Sequence, residues 1–412
     1  MRDARFKSGI LILEGLNSLS TTYYFYYFYF FMQKEFGFGD KANLVLAALS
    51  GLVCAFAAWW GGRFAERAGY FTALKLGFSI MMVALLAGAQ FSSPKAHIAV
   101  MLVAVVGMCF TWSTLEALIS EGETPAGLQH MVGIYNIVWA GTGAVAYFIG
   151  GAMLDRLGFK SLFYVPAAGF FGQLCLTLWL QAQTKAIQAD PPPTPPKEGS
   201  NASATAKSFP SWEGSGVGSS VRPNPRPRQA KAFLRMAWLA NPFAYIAINT
   251  LVAVMPGVAQ RLGLSTTLAG FCCSIWCFGR LGAFVGLWYW SGWHYRFRWL
   301  LVAYLALVAT FAVILVVPNL AVLIVAQLVF GVALGLIYSS SLFYSMDVGE
   351  TRAEHGGIHE AAIGLGNFAG PAVGAASMQF LPQYANSGVV AVSALLLCGL
   401  GGLLAIWRTT KT

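Results

Sequence analysis

Residues 21–36 read TTYYFYYFYFFMQKEF. Nine consecutive aromatics run from Tyr23 to Phe31. At 3.6 residues per turn they wrap every side of a helix for roughly two and a half turns. A helix in water cannot expose so much ring, and a soluble core rarely needs rings all round. A bilayer accepts them. A lone carboxylate, Glu14, stands just upstream.

Working outward, the rest of the chain asks for the same solvent. Its 412 residues are 57% hydrophobic and 10% charged, against a usual charged share of about 25%. The mean hydropathy is +0.63. Twelve apolar runs are long enough to span lipid: 8–33, 42–63, 71–91, 97–120, 130–153, 160–182, 232–258, 265–290, 298–317, 320–346, 357–381 and 387–407. Runs such as LLVAYLALVATFAVILVV carry no polar face, unlike the helices of a soluble protein. They also lack the alternation of a barrel strand. The basic start MRDARFK precedes an apolar run that is too long for a signal peptide and has no small-residue cleavage pattern after it, so a retained first helix is expected.

With the N-terminus placed in the cytoplasm, 19 of the 26 Lys and Arg fall on the inner side and 6 on the outer; Arg280, inside a span, is the last. Both termini are therefore expected inside, in a bacterial inner membrane. The net charge of +10 is a topology signal and implies no nucleic-acid partner. All seven cysteines lie in apolar segments, where free buried thiols are expected. No ligand cluster has metal spacing, and no cofactor is implied.

Residues 183–231, rich in Pro, Ser and Gly, are expected to form a disordered cytoplasmic linker. The NAS triplet at 201–203 is discounted as a glycosylation site on that side. The linker separates an N-terminal six-helix half, 1–182, from a C-terminal half, 232–412. The halves echo one another. GIYNIVWAGTGAVAYFIGG begins at Gly133 and GIHEAAIGLGNFAGPAVGA at Gly357, an offset of 224 that also aligns Gly150 with Gly374. The fold class expected is all-α integral membrane, with twelve transmembrane helices in two parallel six-helix repeats. Such a fold places a site near the midplane between the repeats.

The loop GGRFAERAGYFTALK is similar to motif A of the major facilitator superfamily of secondary transporters. Gly62, Ala65, Arg67 and Gly69 match; Phe64 and Glu66 stand where leucine and aspartate are usual. GGAMLDRLGFKSLF resembles the turn after the fifth helix in many members. Gly357, Gly366, Gly370, Pro371 and Gly374 have the spacing of the family's antiporter motif, which normally sits in the fifth helix rather than the eleventh. The chain resembles that superfamily along most of its length. The resemblance implies that Glu66 and Arg67 latch the halves near the start of helix 11, with Arg352 as a partner. A solvated turn is the plainer alternative. The helix 11 glycines imply close helix packing, with Pro371 as a bend.

Intramembrane polar groups mark candidate pathways, because charge there is costly. Glu14, Asn17, Thr21, Tyr24 and Phe28 fall on one helical stripe, expected to face a central pathway. Asn249 and Arg280 join that pathway. Arg280 needs either a carboxylate, from Glu14, Glu116 or Glu360, or an anionic substrate. Glu14, Glu116, Glu360, Asn136 and Asn367 are the coupling or gating candidates. The function expected is a secondary active transporter that moves a small organic solute by alternating access, with proton coupling through Glu14 or Glu360. A passive facilitator, or a receptor that lost transport, are the alternatives. No nucleophile–base constellation points to an enzyme. The partners expected are the solute, protons and lipid, and the chain is expected to be a monomer.

Overall fold

A computed structural model describes residues 2–123, 125–189, 227–348 and 352–411, with side chains for 5–123, 127–184, 228–348 and 362–410. Thirteen helices follow in order: α1 (Arg2–Phe36), α2 (Asp40–Ala68), α3 (Tyr70–Gly88), α4 (Pro94–Ser120), α5 (Pro125–Leu157), α6 (Ser161–Ala189), α7 (Pro227–Arg261), α8 (Thr266–Cys273), α9 (Ile275–Tyr289), α10 (Phe297–Val316), α11 (Leu320–Val348), α12 (Arg352–Phe380) and α13 (Ser387–Lys411). The described residues contain no strand. Ten segments are long and apolar enough to cross a membrane. α1, which carries Glu14, Asn17 and five tyrosines, is not among them.

The count of thirteen comes from one break. The single run expected at 265–290 divides at Ser274, whose backbone (φ −89°, ψ −6°) turns between α8 and α9. Its hydroxyl donates to the Phe271 carbonyl at 3.2 Å, and Gln327 of α11 donates to the Cys272 carbonyl at 2.9 Å. These bonds serve groups near the break, where the ladder is interrupted. α8 and α9 thus make one of the ten spans, and with α1 and α12 the described helices are consistent with twelve crossings. The expected linker is shorter at both ends, because α6 runs on to Ala189 and α7 starts at Pro227; the rest of it, 190–226, lies outside the described residues.

Turn chemistry fixes several ends. Ser93 caps α4, accepting from the Ala96 N–H at 3.2 Å, with Pro94 opening the helix. Ser265 caps α8 in the same way through the Leu268 N–H. Gly69, at φ +89°, makes the reversal between α2 and α3, a conformation that a β-carbon disfavours.

The two halves meet along α2 with α12 and along α5 with α8 and α9. At the first seam, Gly51 lies directly on the Asn367–Phe368 peptide. Pro371 has no N–H to return to the Asn367 carbonyl four residues back, so the ladder of α12 is open at that peptide. Gly364 packs on Ala55 beside it. At the second seam, Gly151 lies against the Thr266 backbone and Gly270 against Phe148 and Gly151. Small residues let these helices touch, the usual basis of helix association in lipid.

Candidate functional site

The site is built on α9 and α5, one from each half. Arg280 of α9 is only 7% exposed. Its guanidinium carbon sits 4.3 Å from the ring centre of Trp139 on α5 and 5.0 Å from that of Trp276, one turn back on α9. It makes no hydrogen bond or ion pair among the described residues, and its Nε is a buried donor without an acceptor. The indole N–H of Trp276 is likewise unmatched. Burying an unpaired charge costs several kcal/mol. A desolvated ring contact returns about 2 kcal/mol, so two rings offset part of that cost and leave the donors unserved. Gly331 of α11 lies on the backbone of Trp276 and Arg280; a side chain there would lift α11 away and move the arginine.

More rings close the space. Trp139 packs with Tyr338 at 5.6 Å, Phe284 at 6.2 Å and Trp112 at 6.5 Å. From α1, Tyr26 stacks on Trp276 at 6.2 Å. Rings from α1, α4 and α5 thus meet rings from α9 and α11 around one cation.

One turn from Trp139 on α5 lies Tyr135, which donates to Glu14 Oε2 at 2.8 Å; Ser18 donates to Oε1 at 2.7 Å. Glu14 is fully buried and has no cation beside it among the described residues. Glu116, half-buried on α4, is close enough to interact electrostatically with Glu14 and Tyr135. The expected pairing of Arg280 with Glu14 or Glu116 is not made, because the Glu14 oxygens are served by hydroxyls. The side chain of Glu360 lies outside the described residues.

The expected stripe on α1 exists and is buried along its length. Glu14, Asn17, Thr21, Tyr24 and Phe28 are all nearly or wholly buried. Tyr24 meets Phe28 at 5.4 Å and Phe163 of α6 at 6.1 Å. Thr21 returns its hydroxyl to the Asn17 carbonyl, and the amide of Asn17 has no partner. Tyr24 and Phe28 thus pack within the first half. The accessible side of α1 carries Ile12 and Leu16, and Tyr26 continues that side toward Trp276. Both sides of this helix are apolar enough for either role, so periodicity alone did not separate them.

Asn249 and Asn367 do not join Arg280 either. They hydrogen-bond each other between α7 and α12, and the Asn367 amide approaches Cys54 Sγ of α2 at 3.9 Å. Cys54 and Cys109 have sulfurs 3.7 Å apart and remain free thiols. Asn136 is buried on α5. On α12, Gly366 and Gly370 pack against α7, at Pro242 and Ile246, while Gly374 faces Leu44 of α2 and Val392 of α13. Gly357 and Arg352 fall outside the described side chains. In the motif A loop, Ala65 is buried, Gly62 is half-buried with open space beside it, and Glu66 and Arg67 are exposed without an ion pair among the described residues.

Among the described residues, most polar side-chain contacts between the halves lie at the end of the bundle far from both termini. Asp155, at the end of α5, accepts from the Thr267 N–H at 2.9 Å and from its hydroxyl at 2.8 Å, at the start of α8. Lys34 bonds Thr266 and pairs with Asp155 at 3.7 Å. Arg261 pairs with Asp40 at 3.0 Å, Gln33 bonds Gln260, and Lys41 bonds Gln379. The structure is thus clasped at this distal end.

Sequence reasoning missed Tyr135, Trp139, Trp276 and the clasp. The four-residue spacings Tyr135–Trp139 and Trp276–Arg280 were available signals, but only contact between helices gives them meaning.

The comparisons with known proteins agree with this architecture. The family profile described as Major Facilitator Superfamily matches residues 10–371. No curated protein sequence matches the chain. Among solved structures, that of a mutant form of the nucleoside transporter NupG superposes with a TM-score of 0.65 at 13% identity, covering 98% of this chain and 99% of that one. A second NupG structure gives 0.61 at 15% identity, with 98% of each chain covered. At those identities the likeness is one of fold. Matched over most of its length by the family profile and folded as an all-helical bundle with ten apolar spans among the described residues, the chain belongs to the major facilitator superfamily and is a multi-pass membrane transporter.

Proposed function

We propose that the chain is a secondary active transporter that carries a small organic solute by alternating access and couples its movement to protons at Glu14. One observation carries the reading. Tyr135, which holds Glu14, and Trp139, which covers Arg280, lie one turn apart on α5 and share a face. A proton at the acid and a solute at the cation therefore act on the same stretch of helix. Both hydroxyls around Glu14 can turn from donor to acceptor, so the carboxyl keeps partners in either protonation state. The distal clasp supports alternating access: its bonds are few, polar and partly exposed, so they can exchange with water when the halves rock. The Lys and Arg bias supports termini on the cytoplasmic side; on that reading the clasp is the outer gate of an inward-facing state.

The test is uptake into proteoliposomes with an imposed proton gradient, across a panel of heterocyclic acids, aromatic acids and nucleosides, the last because the structural neighbours are named as nucleoside transporters. Accumulation that collapses with a protonophore is expected. Glu14→Gln should lose accumulation yet keep solute exchange. Flux that ignores the gradient would leave a passive facilitator and refute the coupling.

A further inference from the structure

Arg280 and its cage carry a statement about the substrate, resting on the transport reading above. Both indoles lie within cation–π distance of the guanidinium. Its N–H edge is where an acceptor must come, and the described residues supply none to its buried Nε. The nearby indole N–H of Trp276 adds a second unmatched donor. The site has donors to spare, and no carboxylate of the described residues reaches it. The walls are rings: Tyr26, Trp112, Phe284 and Tyr338, around Trp139. Tyr26, Trp112, Trp139 and Tyr338 are only half-buried.

We infer that the transported solute is a planar organic anion, an aromatic or conjugated carboxylate, whose carboxylate takes two N–H groups of Arg280 while its ring lies among Trp139, Tyr338 and Tyr26. The pieces fit chemically. A carboxylate presents two in-plane acceptors that match the guanidinium fork. A flat ring gains from offset or edge contacts with the surrounding aromatics. A neutral solute would leave the charge unpaired and would bind more weakly. A small aliphatic acid would pair the charge but leave the rings unfilled. Because the rings come from both halves, the bound anion touches both, and it can bias their rocking.

The experiment is titration calorimetry on purified protein with 2-naphthoate, its neutral amide 2-naphthamide, acetate and adenosine. Removing a partner from a buried charge pair typically costs enough to weaken binding by about 30-fold or more. The naphthoate should therefore bind at least that much more tightly than the amide, and acetate should bind weakly. Arg280→Gln should erase the preference for acid over amide. Arg280→Lys, which keeps the charge and loses the fork, should reduce it and covers the case in which the glutamine variant does not fold. Trp139→Leu should weaken acid and amide alike. Equal binding of acid and amide to the unaltered protein would overturn the inference, as would no saturable naphthoate binding or an unchanged preference in Arg280→Lys. Adenosine transported in proteoliposomes without naphthoate binding would leave the transporter standing and remove the anion. Naphthoate bound through Arg280 with no flux would do the reverse.

Discussion

Asp155→Ala should unfasten the distal clasp and shift the protein toward a conformation open at that end. The magnitude follows from what the carboxylate holds. Its pair with Lys34 is 3.7 Å long, with side chains 34% and 48% exposed, so it contributes under about 0.5 kcal/mol. Its two bonds to Thr267 matter more. One goes to a backbone N–H in the first turn of α8, which has no partner within its own helix and where the helix dipole favours an anion. The other goes to the hydroxyl. Discounted for partial exposure, the pair contributes about 1 kcal/mol, as a helix cap does. The total of about 1.5 kcal/mol is roughly a tenfold shift in the balance between closed and open. The readout is pulsed electron spin resonance between labels at Ser92 and Tyr384, exposed distal positions on opposite halves. The exposed Cys175 and Cys398 and the half-buried Cys272 would first be replaced by alanine. The long-distance population should grow about tenfold relative to the short one. Thr267→Val removes the hydroxyl donor and keeps the N–H, so its shift should be smaller. A distance distribution unchanged in Asp155→Ala would refute the assignment of these bonds as the clasp.

Other perturbations separate structural from functional groups. Lys7 is 8% exposed and caps the end of α4, donating to the Ile119 and Glu121 carbonyls at 2.7 Å and pairing with Glu123 at 3.5 Å. Lys7→Met should cost about 2 kcal/mol, read as a lower Tm with faster hydrogen exchange in the last turn of α4; an unchanged Tm counts against the cap. Gly51→Val drives a side chain into the Asn367–Phe368 peptide. Overpacking of that kind costs about 1–3 kcal/mol, so the melting temperature should drop, whereas Gly62→Ala, which meets open space, should leave it within a degree or two. Gly331→Ala, which crowds the backbone that carries Arg280, should weaken naphthoate binding more than it lowers Tm; the opposite order would mean that the close approach serves packing alone.

Much of the fold was legible because lipid imposes a simple rule. A backbone in hydrocarbon must satisfy itself, so long apolar runs become helices and can be counted. The break at Ser274 was not legible, since the bonds that satisfy it come partly from Gln327, a residue distant in sequence. The acid at Glu14 and the cation at Arg280 were visible as rare intramembrane charges. Their partners were not: one accepts from Ser18 and Tyr135, and the other rests on two indoles.

The aromatic run of α1 marks the dividing line. Its sequence alone determined a helix that belongs in lipid or among other helices, because nine rings leave no side fit for water. It did not determine which ring turns where. Tyr24 and Phe28 went to the interior of the first half, and Tyr26 went to Trp276 across the boundary. On a helix whose sides are nearly equal in apolarity, local periodicity has no preferred direction. Only the packing of α1 against α5, α6 and α9 breaks that tie, and those contacts exist only once the whole chain has folded.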